Sequence, residues 1–186
     1  MIDSLYECFK HWSEKGSVWI LGDTHFNDAD CLLMSPDWVT PAYQIEILTK
    51  YIHKNDTFIH LGDVGNPEWM TSIPGYKVLI MGNHDQTATK FQPYFDEIYK
   101  GALFISDKIL LSHEPINGLE WCLNIHGHDH SQWNGKDKYH LNLAANVCNY
   151  TPQNLKDIIE SGRISNKNIT NIHRIAIEKQ KEFKET

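Results

Sequence analysis

Short apolar runs that stop at a polar residue, most often just behind a glycine, recur along this chain. No other feature limits its fold as tightly. Val18-Trp19-Ile20-Leu21 runs into Gly22-Asp23-Thr24-His25, Thr57 to Leu61 into Gly62-Asp63, and Tyr76 to Met81 into Gly82-Asn83-His84-Asp85. Further on, Lys108 to Ser112 leads into His113-Glu114-Pro115, and Trp121 to Ile125 into His126-Gly127-His128-Asp129-His130. Apolar runs of this length, bounded by turn residues, read as buried strands. The carboxyl ends of strands in an open α/β sheet are where ligands bind. Taken singly, each polar end is ordinary turn chemistry, with Asp23 capping the next segment and His25 on a surface loop. Five such ends in one chain call for a common explanation.

The remaining elements follow from periodicity and punctuation. Ile2, Leu5, Tyr6, Phe9 and Trp12 lie at helical spacing, so residues 1–16 read as a helical addition ahead of the first strand. Phe26 to Val39 is rich in Asn, Asp, Ser and Pro and reads as a functional loop. Thr40-Pro41 starts a helix whose inner face is Ile45, Leu48, Tyr51 and Ile52. His60 lies inside a strand, which favours a structural role. Glu68 to Ser72 makes a helical turn, and a short helix begins at Gln86. Phe95 to Tyr99, Ala102 to Ser106 and Lys108 to Ser112 are expected to form an antiparallel meander punctuated by Gly101 and Asp107. Tyr139 to Ala144 is a further strand. Thr151-Pro152 starts a helix ending near Gly162, and Ile172 to Phe183 forms a last one. With no repeat or linker in 186 residues, residues 1–186 read as a single α/β domain.

Charge narrows the partners. The formal charge is -7 and there are only two arginines, Arg163 and Arg174, so an extended nucleic acid is not expected. An acidic substrate is still admissible at a metal site, because bound cations invert the local charge. Four cysteines, Cys8, Cys31, Cys122 and Cys148, show no CxxC spacing and read as reduced thiols of a cytoplasmic protein. No signal peptide and no membrane span is expected. Eleven histidines is the unusual count, and several of them stand at the strand ends.

Asp23, His25, Asp63, Asn83, His113, His128 and His130 form a mixed nitrogen and oxygen donor set without thiolate. Seven ligands suit two divalent ions that share one bridging group, and a carboxylate bridges naturally because both its oxygens can bind. Asp63, alone on its strand end, is the candidate bridge. Such a set disfavours calcium and admits manganese first, with iron, zinc, cobalt or nickel as alternatives. Two ions are the usual apparatus for hydrolysing phosphate esters, polarising the phosphoryl oxygens and activating a water.

In order and content these motifs resemble those of the calcineurin-like metallophosphoesterase superfamily, over Val18 to His130. The Asp-Thr-His-Phe phrasing and the late Asn146-Val147 with Tyr150-Thr151-Pro152 resemble small bacterial and phage members. The resemblance implies a four-layer α-β-β-α sandwich, two mixed sheets flanked by helices. It implies Asp23, His25, Asp63 and His130 on one metal, and Asp63, Asn83, His113 and His128 on the other. It implies that His84 donates a proton to the leaving group, supported by Asp85. Small relatives often read Asp-Thr-His-Phe-Gly-His, whereas Asn27 and Asp28 follow Phe26 here. Arginines that phosphoprotein phosphatases carry after the second and third motifs are replaced by Val64-Gly65-Asn66 and Gln86.

The resulting expectation is a dinuclear phosphoesterase acting on small phosphate esters. Diesters are favoured because a monoester dianion needs an arginine-like counter-charge. The second diester arm is expected on Phe26, Leu32, Leu33 and Trp38, and Lys90 is the nearest lysine after the Asn83 turn. Alternatives are a nuclease acting on short nucleic acids, and a silent binding scaffold, which the complete ligand set disfavours. His126, Glu114 and Asp129 are expected to support the site from behind.

Overall fold

The computed structural model describes residues 11–131 and 137–163. Two sheets face one another. The first has the order β4-β3-β2-β1-β9, built from β1 (Val18–Leu21), β2 (Thr57–His60), β3 (Tyr76–Ile80), β4 (Glu97–Tyr99) and β9 (Gln153–Asn154). Strands β1 to β4 are parallel and β9 closes the edge antiparallel to β1. The second sheet has the order β5-β6-β7-β8, from β5 (Leu103–Ser106), β6 (Ile109–Leu111), β7 (Leu123–His126) and β8 (His140–Asn142). Its β5-β6 pair is antiparallel and the other two pairs are parallel. Both sheets are therefore mixed, as expected.

Alternation along the central strands feeds two cores. Val18, Ile20, Ile59, Val78 and Ile80 point between the sheets, against Ile109, Leu111, Leu123 and Ile125. Leu21, Phe58 and Leu79 point the other way, with Leu48, Ile52, Met70 and Phe91. Leu48 and Ile52 come from helix α2 (Pro41–Tyr51) and its C-cap, Met70 from the 3-10 turn Pro67–Ser72 and Phe91 from helix α3 (Ala88–Phe91). A strand buried on both faces reads as a continuous apolar run, which is how these runs look in the sequence.

Helix α2 begins as expected, with Thr40 accepting from the Tyr43 amide at 3.4 Å and Pro41 in the first turn. Tyr51 is exposed, however, and Gln44 is buried in its place, donating to the Thr24 carbonyl at 2.9 Å. The loop after Phe26 contains a helix, α1 (Ala29–Met34), capped by Asp28. The expected meander is corrected. β4 pairs in parallel with β3, in the first sheet, before the chain crosses to β5. Gly101 and Asp107 look alike as punctuation, and neither encodes the change of sheet. Gln153 and Asn154 pair with β1 before helix α4 (Leu155–Ile158), because Asn154, rather than Thr151, caps it by accepting from Lys156. The helical layer over β1 to β4 is present. The expected helix at Ile172 to Phe183 and most of the one at Ile2 to Trp12 lie outside the described residues. Among the described residues no helix is long and apolar enough to cross a membrane.

Candidate metal centre

Register brings the polar ends together. Leu21, His60 and Leu79 stand side by side across β1, β2 and β3, so Asp23, Asp63 and Asn83 follow within a few residues of one line. Backbone hydrogen bonds then lace the turns: Asp23 N to Gly62 O at 2.9 Å, His25 N to Asp63 O at 3.0 Å and Gly127 N to His113 O at 2.9 Å. The second sheet is tied in where Gly22 donates to Leu143 O and Ala145 donates to Gly22 O, both at 2.9 Å.

Each turn is sharp. Asp23, His25, Asp63 and His128 all adopt positive φ, between 44° and 66°. A non-glycine residue there costs about 1–2 kcal/mol, and such strain persists only where the surroundings over-determine it. Two glycines are required by contact. A Cβ on Gly82 would lie 2.2 Å from Asp63 Oδ1, and one on Gly127 would lie 2.1 Å from Asp23 Oδ2. The glycines beside these polar ends thus make room for the carboxylates.

Three groups of side chains have donor atoms within 4.8 Å of one another, and two of them hold expected donors only, Asp23, His25 and His130, and Asp63, His113 and His128; His25 also belongs to the third, with Asp28 and His84. Asn83 joins the second group, its Oδ1 lying 2.8 Å from His113 Nε2 and 3.1 Å from His128 Nδ1. Asp63 Oδ2 stands between the groups, 3.3 Å from His113 Nε2 and 3.7 Å from His25 Nε2. All seven residues expected from the sequence therefore meet. Asp23 is fully buried, and both its oxygens face the His128 amide, at 3.0 and 2.9 Å. His113 Nδ1 donates to Leu61 O at 2.8 Å, which aims its Nε2 into the site.

The donor set fits divalent cations. His25 Nε2 is buried without a hydrogen-bond partner, while its Nδ1 is taken by Asp28 at 2.8 Å. An orphaned buried nitrogen costs about 1–3 kcal/mol, and a cation placed before it removes that cost. Burial raises the Asp63 carboxyl, but the hydrogen bond and charge of His113 outweigh it and hold the group at about 2. Burial lowers the His113 imidazole, but the Asp63 hydrogen bond and the Asp23 charge lift it to about 9. Without metal, a proton on His113 supplies part of the positive charge that the carboxylates demand.

Residues 16–173 match the family model of the calcineurin-like phosphoesterases. The chain belongs to that family. The family generally binds divalent metals, as the two donor groups here suit. Gene 66 protein of Mycobacterium phage D29 is 26% identical over 159 residues, covering 62% of this chain and 79% of that protein. Among solved structures, a protein of unknown function from Aquifex aeolicus, AQ665, is 27% identical with a TM-score of 0.65, over 78% of this chain and 98% of that one. Pseudomonas putida nuclease MPE is 21% identical with a TM-score of 0.45, over 61% of each chain.

Two expectations are revised, one implied by the resemblance and one drawn from the residues of the loop. Asp85 does not support the His84 ring. Its oxygens accept backbone N–H groups of Asp63 at 2.8 Å, Val64 at 3.1 Å and Gly82 at 2.9 Å, so it clamps the second and third turns together. The carboxylate within ion-pair distance of His84 is Asp28, 3.7 Å from its Nδ1. Phe26 and Trp38 are core residues and offer no surface to a substrate arm; Leu32 and Leu33 are exposed. Trp38 instead packs against His25 and His130 and donates to Thr24 O at 3.1 Å.

Asp28 was missed as a site residue, although it stands three residues after His25, where small relatives often carry a second histidine. Burial raises its carboxyl, yet the His25 hydrogen bond and two backbone donors bring it below the usual value. His60 is structural as expected: it is fully buried, bonded to Thr24 Oγ1 at 3.0 Å, and burial pushes its imidazole down to about 3. His126 is buried against the Gly127 carbonyl. Asn146, unassigned from sequence, fixes His130 by donating to its carbonyl at 2.8 Å.

A metal takes only an unprotonated imidazole, so an ion bound at His113 would have to expel the proton that Asp63 holds there. Affinity for a divalent ion should rise with pH and level off above about 9. In the metal-free protein the same raised value stabilises the fold fully below 6.5, and that contribution is lost as pH climbs through about 9. Calorimetric titration at several pH values, with thermal melts of the chelated protein, checks both signs. A pH-independent affinity would contradict the pairing.

Proposed function

We propose that this protein is a dinuclear, metal-dependent phosphodiesterase acting on small phosphate esters. The observation that carries the reading is the convergence of seven nitrogen and oxygen donors, Asp63 at their centre, with no lysine or arginine among the seven. Asp23, His25, Asp63 and His130 would hold one ion, and Asp63, Asn83, His113 and His128 the other, with manganese the best match to the donors. Such ions supply Lewis-acid polarisation of a phosphoryl group and a nucleophile drawn from water.

The chain's own residues do the rest. Asp63 joins the two halves of the site, and the His84 amide donates to its Oδ1 at 2.9 Å. His84 is partly exposed at the rim, with Asp28 on its Nδ1 side, so its Nε2 faces outward to a departing oxygen. Asp28 thereby braces a metal-side imidazole, His25, and the proton donor, His84, with one carboxylate. Diesters are favoured by charge. A monoester dianion needs a further cation against the phosphate, and among the described residues the charged partners of Asp23 and Asp63 are all histidines.

Bis-nitrophenyl phosphate should therefore show a higher kcat/KM than nitrophenyl phosphate with saturating manganese, and chelator should abolish both. A clear monoester preference would overturn the diester assignment.

Replacement of His84 by asparagine should lower turnover by about 10²–10⁴-fold for alkoxide leaving groups, the usual worth of a proton donor. Nitrophenolate esters should lose much less, and metal content should stay near wild type. Equal losses for the two leaving groups, measured by steady-state kinetics, would remove His84 from that role.

A further inference from the structure

A cleft of about 530 Å³ opens beside the cluster of His25, Asp28 and His84. His84 and Asp28 are shared by cluster and cleft. None of the seven donor residues lines the cleft, so it lies beyond the metal donors themselves. Given the phosphoesterase reading, on which this inference rests, a substrate whose departing oxygen meets His84 must place its leaving group here. We propose that the cleft is a leaving-group subsite for a neutral, hydroxyl-bearing alcohol, a polyol or a sugar.

The walls decide the chemistry. Asp30 stands in the same wall as Asp28, and Lys90 also lines the cleft. Lys90 Nζ is 3.5 Å from Gly65 O, too long a contact to consume its donors. Asn66 uses its Oδ1 to accept from the Glu68 amide at 3.1 Å, which leaves its NH2 group to donate. Thr87 makes no capping hydrogen bond although it stands at the start of α3. Gln86 is exposed beside it. Ala29 is the one aliphatic side chain in the lining, and His84 supplies its one ring.

Each class of arm meets a different fate there. An apolar arm would strip water from donors and acceptors without replacing it, at a cost for each group. An anionic arm would face Asp28 and Asp30. A quaternary cationic arm would be drawn by Asp28 and Asp30 and repelled by Lys90, and it would leave the donors of Asn66, Gln86 and Lys90 unmet. A nucleobase would find only the His84 ring, which the proton-donor role places at the departing oxygen rather than under a base. A hydroxyl both donates and accepts, so successive hydroxyls can serve the carboxylate of Asp30 and the donors of Asn66, Gln86 and Lys90 in turn. The volume suits a sugar-sized group within the range of small-molecule sites.

The test compares methyl phosphodiesters of glycerol, propan-1-ol and choline with the manganese-loaded protein. The quantity measured is release of the larger alcohol, in wild type and in the Gln86→Leu and Lys90→Met variants, with bis-nitrophenyl phosphate as a common reference. Wild type should favour the glyceryl ester over the propyl ester by about tenfold or more in kcat/KM, the scale of one or two hydrogen bonds. That ratio, internal to each protein, should fall several-fold in both variants. A ratio unchanged by both variants, equal hydrolysis of the glyceryl and propyl esters, or preference for the choline ester would overturn the subsite. Turnover of bis-nitrophenyl phosphate without glyceryl preference overturns the subsite alone. Loss of turnover on every ester overturns the phosphoesterase reading and the subsite with it.

Discussion

The Asp63 carboxylate sits where the ends of two sheets meet, and the backbone around it is built to hold a charge that burial alone would neutralise. One oxygen accepts the His84 amide and the other faces His113 and His25. Gly82 lacks a Cβ because that carboxylate occupies the space. Asp85 in turn takes the amides on both sides of the gap, so Asp63 cannot move without breaking the turns that carry Asn83 and His84. A buried anion must be paired or bound to metal. Here the pairing is with the imidazoles of His113 and His25, and a cation would exchange for the proton on His113.

This exchange links fold and chemistry. Metal-free, the site is stabilised by protonated His113 against Asp63, and strain in four left-handed residues is carried by the laced turns. His25 keeps one nitrogen unpaired at the centre. The arrangement is costly unless something positive occupies it. That points to a site shaped by binding rather than by stability, since an apolar cluster of the same size would fold more readily.

Much of this was legible in the sequence. The five polar strand ends named all seven donors, because a glycine beside a carboxylate leaves a local mark. The central strands were equally plain, since strands buried on both faces read as unbroken apolar runs. Less local facts were hidden. Nothing in Phe95 to Ser112 reveals that β4 belongs to one sheet and β5 to the other. Asp85 looked like a partner for its neighbour His84, yet its oxygens bond to backbone amides from two turns, which carry no sequence signature. Asp28 read as a loop residue, although it caps α1 and bonds His25. Phe26 and Trp38 looked available to substrate only because the loop between them was not seen to fold back on the core.

The central claim is that Asp63 joins two metal ions. Crystals grown with manganese and measured at its absorption edge test it most directly. The account predicts two anomalous peaks about 3.5–4 Å apart, both in contact with the Asp63 carboxylate, one also touching Asp23, His25 and His130 and the other Asn83, His113 and His128. A single peak, or a pair in which Asp63 contacts only one ion, would contradict it.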